Sequence, residues 1–481
     1  MKQPEFKGAK SFGLVAGPAL FFLILFFSPD DVLTPEAWKV IASAAWMVVW
    51  WITEAAPIPV TSLLPIILFS ITGVFTIDEA TAPYANKIIF LFMGGFMLGL
   101  AMERHNLHKR IALNLIKKTG TNPNGIILGF MLTTAFISMW ISNTATTVMM
   151  LPIALSITNL LNVGGTTDKG KQRFALALML GIAYAANIGG TATIVGTPPN
   201  VAWVGFMSSM MDVEVSFAKY LTVGVPVAVI MLTVTYLLLT RVLFPSKVND
   251  LSQSANVIDD QLKELGPMKK AEKYVAIIAV STALAWILRG NLNNWFNTNL
   301  LSDALIAMVG AVAMFVVPLN LKKAKFLLEW EYTQKLPWGI LLLFGGGLTL
   351  AKAMEKTNIV QVVGEVISQQ GMNPTILIIV LCAFMLFMTE LMSNVALTVI
   401  FIPVVLGISI SMDINPMYLS LPVTLAASYA FMMPIATPPN AIVFSSGMIK
   451  MKDMIRAGFL LNIIAILVLA ILSQTLIPLI Y

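Results

Sequence analysis

The sequence predicts an all-α polytopic membrane protein of about eleven transmembrane helices and two re-entrant hairpins, set out as two inverted repeats. Composition is the first ground. Of 481 residues, 58% are hydrophobic and only 11% charged, with a mean hydropathy of +0.84, beyond what a soluble domain of this length carries. The second ground is that apolar runs long enough to cross a bilayer recur from end to end. The third is that parts of the first half are written again in the second.

Residues 1–37 read as an N-terminal tail and a first transmembrane helix, Ser11–Ser28. "FFSPDDVLTPEAW" after it reads as an external loop without a small-residue cleavage site. A first repeat, 38–244, holds the runs Lys39–Thr53, Val60–Phe75, Ile88–Met102, Phe174–Trp203 and Tyr220–Leu243. A second, 274–481, holds Tyr274–Leu288, Leu305–Val317, Gly339–Met354, Leu419–Phe444 and Ala457–Ile480. Two further apolar pairs, Gly125–Leu161 and Thr375–Ser411, could be plain spans or hairpins that enter and leave on one side. The hairpin reading places them at about 124–161 and 374–411. Between the repeats, 245–273 is a polar cytoplasmic linker, with "NDLSQSANVIDDQLKEL" a short surface helix.

The net charge of +6 does not point to nucleic acid, because its placement follows the membrane. With a cytoplasmic N-terminus, most Lys and Arg fall on the inner side, in the clusters around Lys2–Lys10, Arg104–Lys118, Lys169–Arg173, Arg241–Lys273, Lys322–Lys335 and Lys450–Arg456. Cys382 is alone, which excludes an internal disulfide. His105 and His108 lie in a basic segment with no cluster of metal ligands beside them. Trp46, Trp50 and Trp51 read as interfacial belt or packing.

The repeat is carried by three matches in one order. "FMGGFMLGLAMERHNL" (Phe92–Leu107) lies against "FGGGLTLAKAMEKTNI" (Phe344–Ile359); Ser142, Asn143 and Pro152 recur as Ser393, Asn394 and Pro403; "GTPPN" (Gly196–Asn200) recurs as "ATPPN" (Ala436–Asn440). An odd number of crossings per half inverts the second half about an axis in the membrane plane. The glycine clusters Gly94-Gly95 and Gly345-Gly346-Gly347 read as close-packing surfaces, since no phosphate-cradling pattern follows them.

In hydrocarbon every backbone N–H and C=O must be paired, so unwound chain at mid-depth is tolerated only where it lines a cavity or is buried in protein. Pro198-Pro199 and Pro438-Pro439 remove donors and fix φ, and are expected to break the helices at about 174–205 and 418–446. Each break offers carbonyls for a small cation at one half-helix end and amides for an anion at the other. Ser142, Asn143 and Thr144, with Ser393 and Asn394, add hydroxyls and amides and can cap the helices that follow. One such triplet alone would read as helix-to-helix glue. Its duplication beside a duplicated Pro-Pro-Asn points to a central site for a solute with two carboxylates. No Lys or Arg lies in either triplet or break, so a co-bound Na⁺ would offset the cost of desolvating a dianion. Glu390 could be a proton or cation group, but its repeat counterpart is Met139, and a structural partner role fits it better.

The paired "SNT"/"SNV" and "GTPPN"/"ATPPN", and above all "SYAFMMPIATPPNAIVF" (Ser428–Phe444), resemble the divalent anion/sodium symporter family of di- and tricarboxylate carriers over nearly the whole chain after Ser11. The resemblance implies a homodimer whose protomers each have a scaffold part and an elevator-type transport part. It also implies substrate contacts from Ser142, Asn143, Thr144, Ser393, Asn394 and Val395, with Thr197, Thr437 and Pro438 nearby. One Na⁺ position would use Ser138, Ser142, Asn143 and Gly196, and its twin Thr389, Met392, Asn394 and Ala436. Val395, Met392 and Asn187 depart from the family's commoner residues, which leaves substrate size and coupling open.

The expectation is a secondary active transporter of C4-dicarboxylates such as succinate, malate, fumarate or 2-oxoglutarate, coupled to Na⁺ or to dicarboxylate exchange, in the cell membrane and with no covalent cofactor. A tricarboxylate such as citrate, or sulfate, is the alternative cargo. A channel would need a continuous polar pore. An enzyme would need a catalytic constellation, and Glu54, Glu103, Glu355 and Glu390 are dispersed.

Overall fold

The computed structural model describes residues 8–29, 33–120, 122–160, 168–246 and 252–481, the side chains of 252–255 excepted. The basic start with Lys2 and Lys7, part of the "GGTTDKGKQR" connection and residues 247–251 of the linker lie outside the described residues. The first half contains α1 (Gly8–Phe26), α2 (Pro35–Thr53), α3 (Ile58–Thr61), α4 (Leu64–Ile71), α5 (Ile77–Thr81), α6 (Lys87–Arg104) and α7 (Leu107–Lys118). It continues with α8 (Pro123–Ser138), α9 (Asn143–Leu160), α10 (Lys169–Gly190), α11 (Pro198–Met210) and α12 (Phe217–Leu237), and α13 (Ser252–Leu265) forms the linker helix.

The second half runs α14 (Lys270–Trp295), α15 (Asp303–Val316), a two-stranded antiparallel ribbon of β1 (Pro318–Asn320) and β2 (Lys325–Phe326), α16 (Trp338–Lys356) and α17 (Ile359–Ser368). Then follow α18 (Pro374–Met388), α19 (Asn394–Ser411), α20 (Pro416–Ala427), α21 (Pro438–Phe444), α22 (Met451–Thr475) and α23 (Ile477–Ile480). Among the described residues, seven helices, or helices with the segment that continues them, are long and apolar enough to cross a bilayer unaided. The other apolar stretches come as shorter pieces. The run Val60–Phe75 is one of these, divided by Ser62-Leu63 into α3 and α4 under Pro57, Pro59 and Pro65.

Both halves stop and start their helices with the same devices. Asn122 and Asn373 each cap a helix whose first residue is proline, where a missing N–H costs nothing. Asn106 and Asn358 each take the left-handed conformation, at φ 56° and 57°, and turn α6 into α7 and α16 into α17. Asparagine tolerates that region better than other side chains, which is why Asn106 and Asn358 recur as a pair.

Close packing explains the glycine clusters. A Cβ on Gly94 would lie 2.8 Å from the Ala307 backbone on α15, and one on Gly346 2.2 Å from the Ser62 carbonyl. Gly17 lies under Trp46 and Trp50, which pack α1 on α2, while Trp51 is buried and donates to the Ile58 carbonyl at 3.3 Å. His105 meets the Leu327 carbonyl at 2.7 Å and His108 the Met102 carbonyl at 3.1 Å; both pin local backbone. α13 packs on α7 and α9, and Arg110 ties the linker to α14 by reaching Glu272 at 2.5 Å and the Gly266 carbonyl at 2.9 Å.

Candidate functional site

Two short turns carry the polar triplets. α8 ends at Ser138 and α9 begins at Asn143; α18 ends at Met388 and α19 begins at Asn394. Each serine caps the helix it precedes: Ser142 Oγ accepts the Ala145 amide at 3.2 Å, and Ser393 Oγ the Ala396 amide at 3.5 Å. Their carbonyls take Thr146 and Leu397 in turn. The amides of Asn143 and Thr144, and of Asn394 and Val395, occupy the first two helical positions, where no intrahelical acceptor exists. Those four donors stand at the positive ends of two 18-residue helices, a favourable setting for carboxylate oxygens. Val395 therefore still offers its backbone amide, although its side chain offers none.

The helix breaks correct the expectation in one respect. The paired prolines do not lie inside the unwound chain; they open the helices after it, at their first two positions. The unwound stretches are 191–197 and 428–437, just upstream. The physical reason is that proline lacks a donor the first turn does not need and brings a preset φ, so it starts a helix more readily than it interrupts one here.

The asparagine of each Pro-Pro-Asn sews its break together. Asn200 Nδ2 donates to the Thr193 carbonyl at 2.8 Å and, at 3.4 Å, to that of Thr191; Asn440 Nδ2 donates to Ala430 and Met433, both at 3.0 Å. These two residues were readable as the third letter of a duplicated motif but not as the stitch. In the first break Thr193 Oγ1 also accepts the Gly196 amide at 3.0 Å and donates to the Met139 carbonyl at 2.6 Å, joining break and turn. In the second, Thr389 Oγ1 lies 2.7 Å from both Asn394 Oδ1 and the Ala427 carbonyl.

The two breaks also touch each other. Asn187 Nδ2 reaches Thr437 Oγ1 at 3.2 Å and the Ala430 carbonyl at 3.3 Å, Thr191 Oγ1 meets the Tyr429 hydroxyl at 3.2 Å, and Tyr184 donates to the Phe431 carbonyl at 2.9 Å. α21 packs on α9 and α11 on α19, so each half's broken helix leans on the helix that opens from the other half's triplet. No hydrogen bond joins Ser142–Thr144 to Ser393–Val395 among the described residues. Thr197 and Thr437 are buried at the starts of α11 and α21, while Thr144 and Pro438 are exposed.

The Na⁺ candidates present hard oxygen donors, as a small monovalent cation requires. Ser138 Oγ lies 2.6 Å from Asn143 Oδ1, and Thr389 makes the same bond to Asn394. Gly196 and Ala436 add backbone carbonyls. Gly196 is packed so tightly that an added Cβ would lie 2.4 Å from the Gly190 carbonyl, and one on Gly190 would lie 2.6 Å from Asn143 Oδ1. Met392 sits in the second turn, its amide bonded to the Met388 carbonyl at 3.2 Å. Among the described residues no group of three or more His, Cys, Asp or Glu side chains could hold a metal ion.

Comparisons with known proteins identify the family and the fold. The family profile described as the sodium:sulfate symporter transmembrane region matches residues 9–480. A curated relative from Staphylococcus saprophyticus, named sodium-dependent dicarboxylate transporter SdcS, is 41% identical over 473 residues, which is 97% of this chain and 91% of that protein. Its namesake in Staphylococcus aureus strain USA300 is 40% identical over 489 residues, 100% of this chain and 93% of that protein. Among solved structures, the Alcanivorax borkumensis YdaH transporter aligns with TM-score 0.54 at 13% identity, covering 86% of this chain and 88% of that one. Neisseria gonorrhoeae MtrF aligns with TM-score 0.56 at 11% identity, covering 97% and 95%. The last two show the fold alone, that of an all-α polytopic membrane protein. An integral membrane protein with this duplicated site and these relatives is a transporter and not an enzyme, and the chain belongs to the divalent anion/sodium symporters, the family of the sodium:sulfate symporter transmembrane region.

Proposed function

We propose that this protein is a secondary active transporter that couples Na⁺ movement to uptake of a small dicarboxylate, of the size of succinate, malate, fumarate or 2-oxoglutarate, across the cell membrane. The observation that carries the reading is the paired set of helix starts at Asn143 and Asn394, each with two amides that have no helical acceptor, joined through the two breaks. Two such donor sets suit the two ends of a dianion. Relatives with 40% and 41% identity named as sodium-dependent dicarboxylate transporters favour Na⁺ coupling over anion exchange.

In this reading Ser142, Asn143, Thr144, Ser393, Asn394 and the Val395 amide contact the solute, with Thr197, Thr437 and Pro438 alongside. Na⁺ is held by Ser138, Ser142, Asn143 and Gly196, and by Thr389, Met392, Asn394 and Ala436. Its charge offsets the desolvation of a dianion that no Lys or Arg neutralises. Asn187, bonded to the second break, serves as a strut between the halves and leaves the cation positions to the residues above. The polytopic body works as a homodimer with a cytoplasmic N-terminus, residues 38–244 and 274–481 being its inverted repeats around the linker 245–273. α8–α12 and α18–α22 move together as an elevator against the remaining helices.

The test is uptake of labelled succinate into liposomes holding the purified protein. One set has an inward Na⁺ gradient and empty lumen; the other has unlabelled dicarboxylate inside and no Na⁺. Uptake in the first set alone is expected. Uptake in the second alone makes the protein an exchanger, and uptake of sulfate or citrate in place of every dicarboxylate overturns the cargo.

A further inference from the structure

The two breaks are built from matching letters yet satisfy their backbone differently, and the difference centres on Glu390. This side chain is buried at 3% exposure, and it makes no salt bridge among the described residues. Four donors converge on it instead. The amides of Phe431 and Met432 reach Oε1 at 2.8 and 2.9 Å, that of Met433 reaches Oε2 at 3.0 Å, and Asn462 Nδ2 from α22 reaches Oε1 at 3.0 Å. Three successive N–H groups turned one way make an anion-binding concavity, and here the chain supplies the anion itself.

The first break has no such arrangement. Met139 occupies the place of Glu390, and the amides of Thr191 and Ala192 fold back on the carbonyls of Ile188 and Gly189 at 3.1 and 3.0 Å. The carboxylate is thus a device of the second half only. It sits between both walls of that half's cation position. On one side it follows Thr389, whose hydroxyl meets Asn394. On the other it fixes Met433, whose carbonyl accepts the Ala436 amide at 3.2 Å and the Asn440 side chain at 3.0 Å.

We infer that Glu390 is a positioning residue for the second cation seat: by clasping the Phe431–Met433 amides it holds the Ala436 carbonyl opposite Thr389 and Asn394. Without it, three amides in a buried stretch lose their acceptor, and that stretch has no helix to return to. The inference rests on the Na⁺ reading given under Proposed function.

Glu390→Gln keeps the shape but turns an amide N–H₂ toward N–H donors. In the liposome assay the half-saturating Na⁺ concentration of E390Q is expected to rise by about tenfold or more, the loss of a hydrogen-bonded charge. The KM for succinate at saturating Na⁺ is expected to stay within about twofold of wild type, and the pH profile of uptake to keep its shape. An unchanged Na⁺ dependence overturns the inference, as does a parallel rise in succinate KM. A flattened pH profile also overturns it, because Glu390 would then carry a proton. If E390Q does not assemble, Asn462→Ala decides, removing one donor and raising half-saturating Na⁺ by about threefold, while no rise overturns the inference. Wild-type uptake that ignores Na⁺ retires the functional reading itself and the cation seat with it, an outcome the wild-type control separates from a failure of Glu390 alone.

Discussion

The first break is a tight knot of backbone, whereas the second is a looser loop propped by side chains from elsewhere. At 191–197 the chain closes on itself: Gly190 and Gly196 lie against each other, Gly190 also lies against Asn143, and Thr193 Oγ1 accepts the Gly196 amide. At 428–437 alanines stand in the two glycine places, as Ala430 and Ala436, and the amides turn outward to Glu390. Pseudo-symmetry of fold therefore leaves the two proposed cation positions with different supports. One adds close glycine packing to its own local hydrogen bonds and the other hands its amides to a carboxylate from another element, so damage to each should have its own signature.

The harshest test removes what both halves share. Asn143→Ala and Asn394→Ala should each abolish succinate uptake, since each half-buried side chain loses polar contacts worth about 1–3 kcal/mol apiece; retained affinity in calorimetry for both variants would place the solute elsewhere. Next comes the substitution that should split the halves. Gly196→Ala puts a Cβ 2.4 Å from the Gly190 carbonyl, and overpacking of this kind costs about 1–3 kcal/mol. Ala436→Gly, its mirror image, should change Na⁺ half-saturation only by the cost of a freer backbone, about 0.5–1 kcal/mol. Equal effects of the two on Na⁺ half-saturation would erase the contrast drawn here.

A smaller effect should be even-handed. Asn200→Ala and Asn440→Ala each unstitch one break, and thermal unfolding in detergent should report a similar loss for both, about 1–3 kcal/mol. The weakest effect lies outside the membrane. Burial holds the His108 imidazole below its ordinary value of 6.5, against the help of its bond to the Met102 carbonyl. A His whose folded value is depressed contributes stability above its unfolded value and loses it as pH falls toward the folded one. Thermal stability should therefore decline from about pH 6.5 downward, and His108→Gln should flatten that decline.

Much of this was legible in the letters, because a duplicated motif survives wherever both copies do the same job. Asn106 and Asn358 recur since both turn a helix, Asn143 and Asn394 since both open one, and Asn200 and Asn440 since both close a break. Hydropathy found the apolar runs but not the division at Ser62-Leu63, because Val60–Phe75 stays apolar through it. It also could not tell that the prolines begin helices here. The partners of Glu390 stayed hidden for another reason: its donors come from Phe431–Met433 and from Asn462, on two different elements, and no spacing rule links them. Its lack of a twin was the readable clue.

The seam between the breaks has one more consequence. Tyr184, Asn187 and Thr191 of one half grip Phe431, Thr437 and Tyr429 of the other. The two breaks, and with them the proposed ion and solute positions, are thereby held as a single block. On the proposed reading those bonds keep the distance between ion and solute fixed while the unit moves, so coupling would be set by which occupants let the unit move and not by one seat sliding past the other.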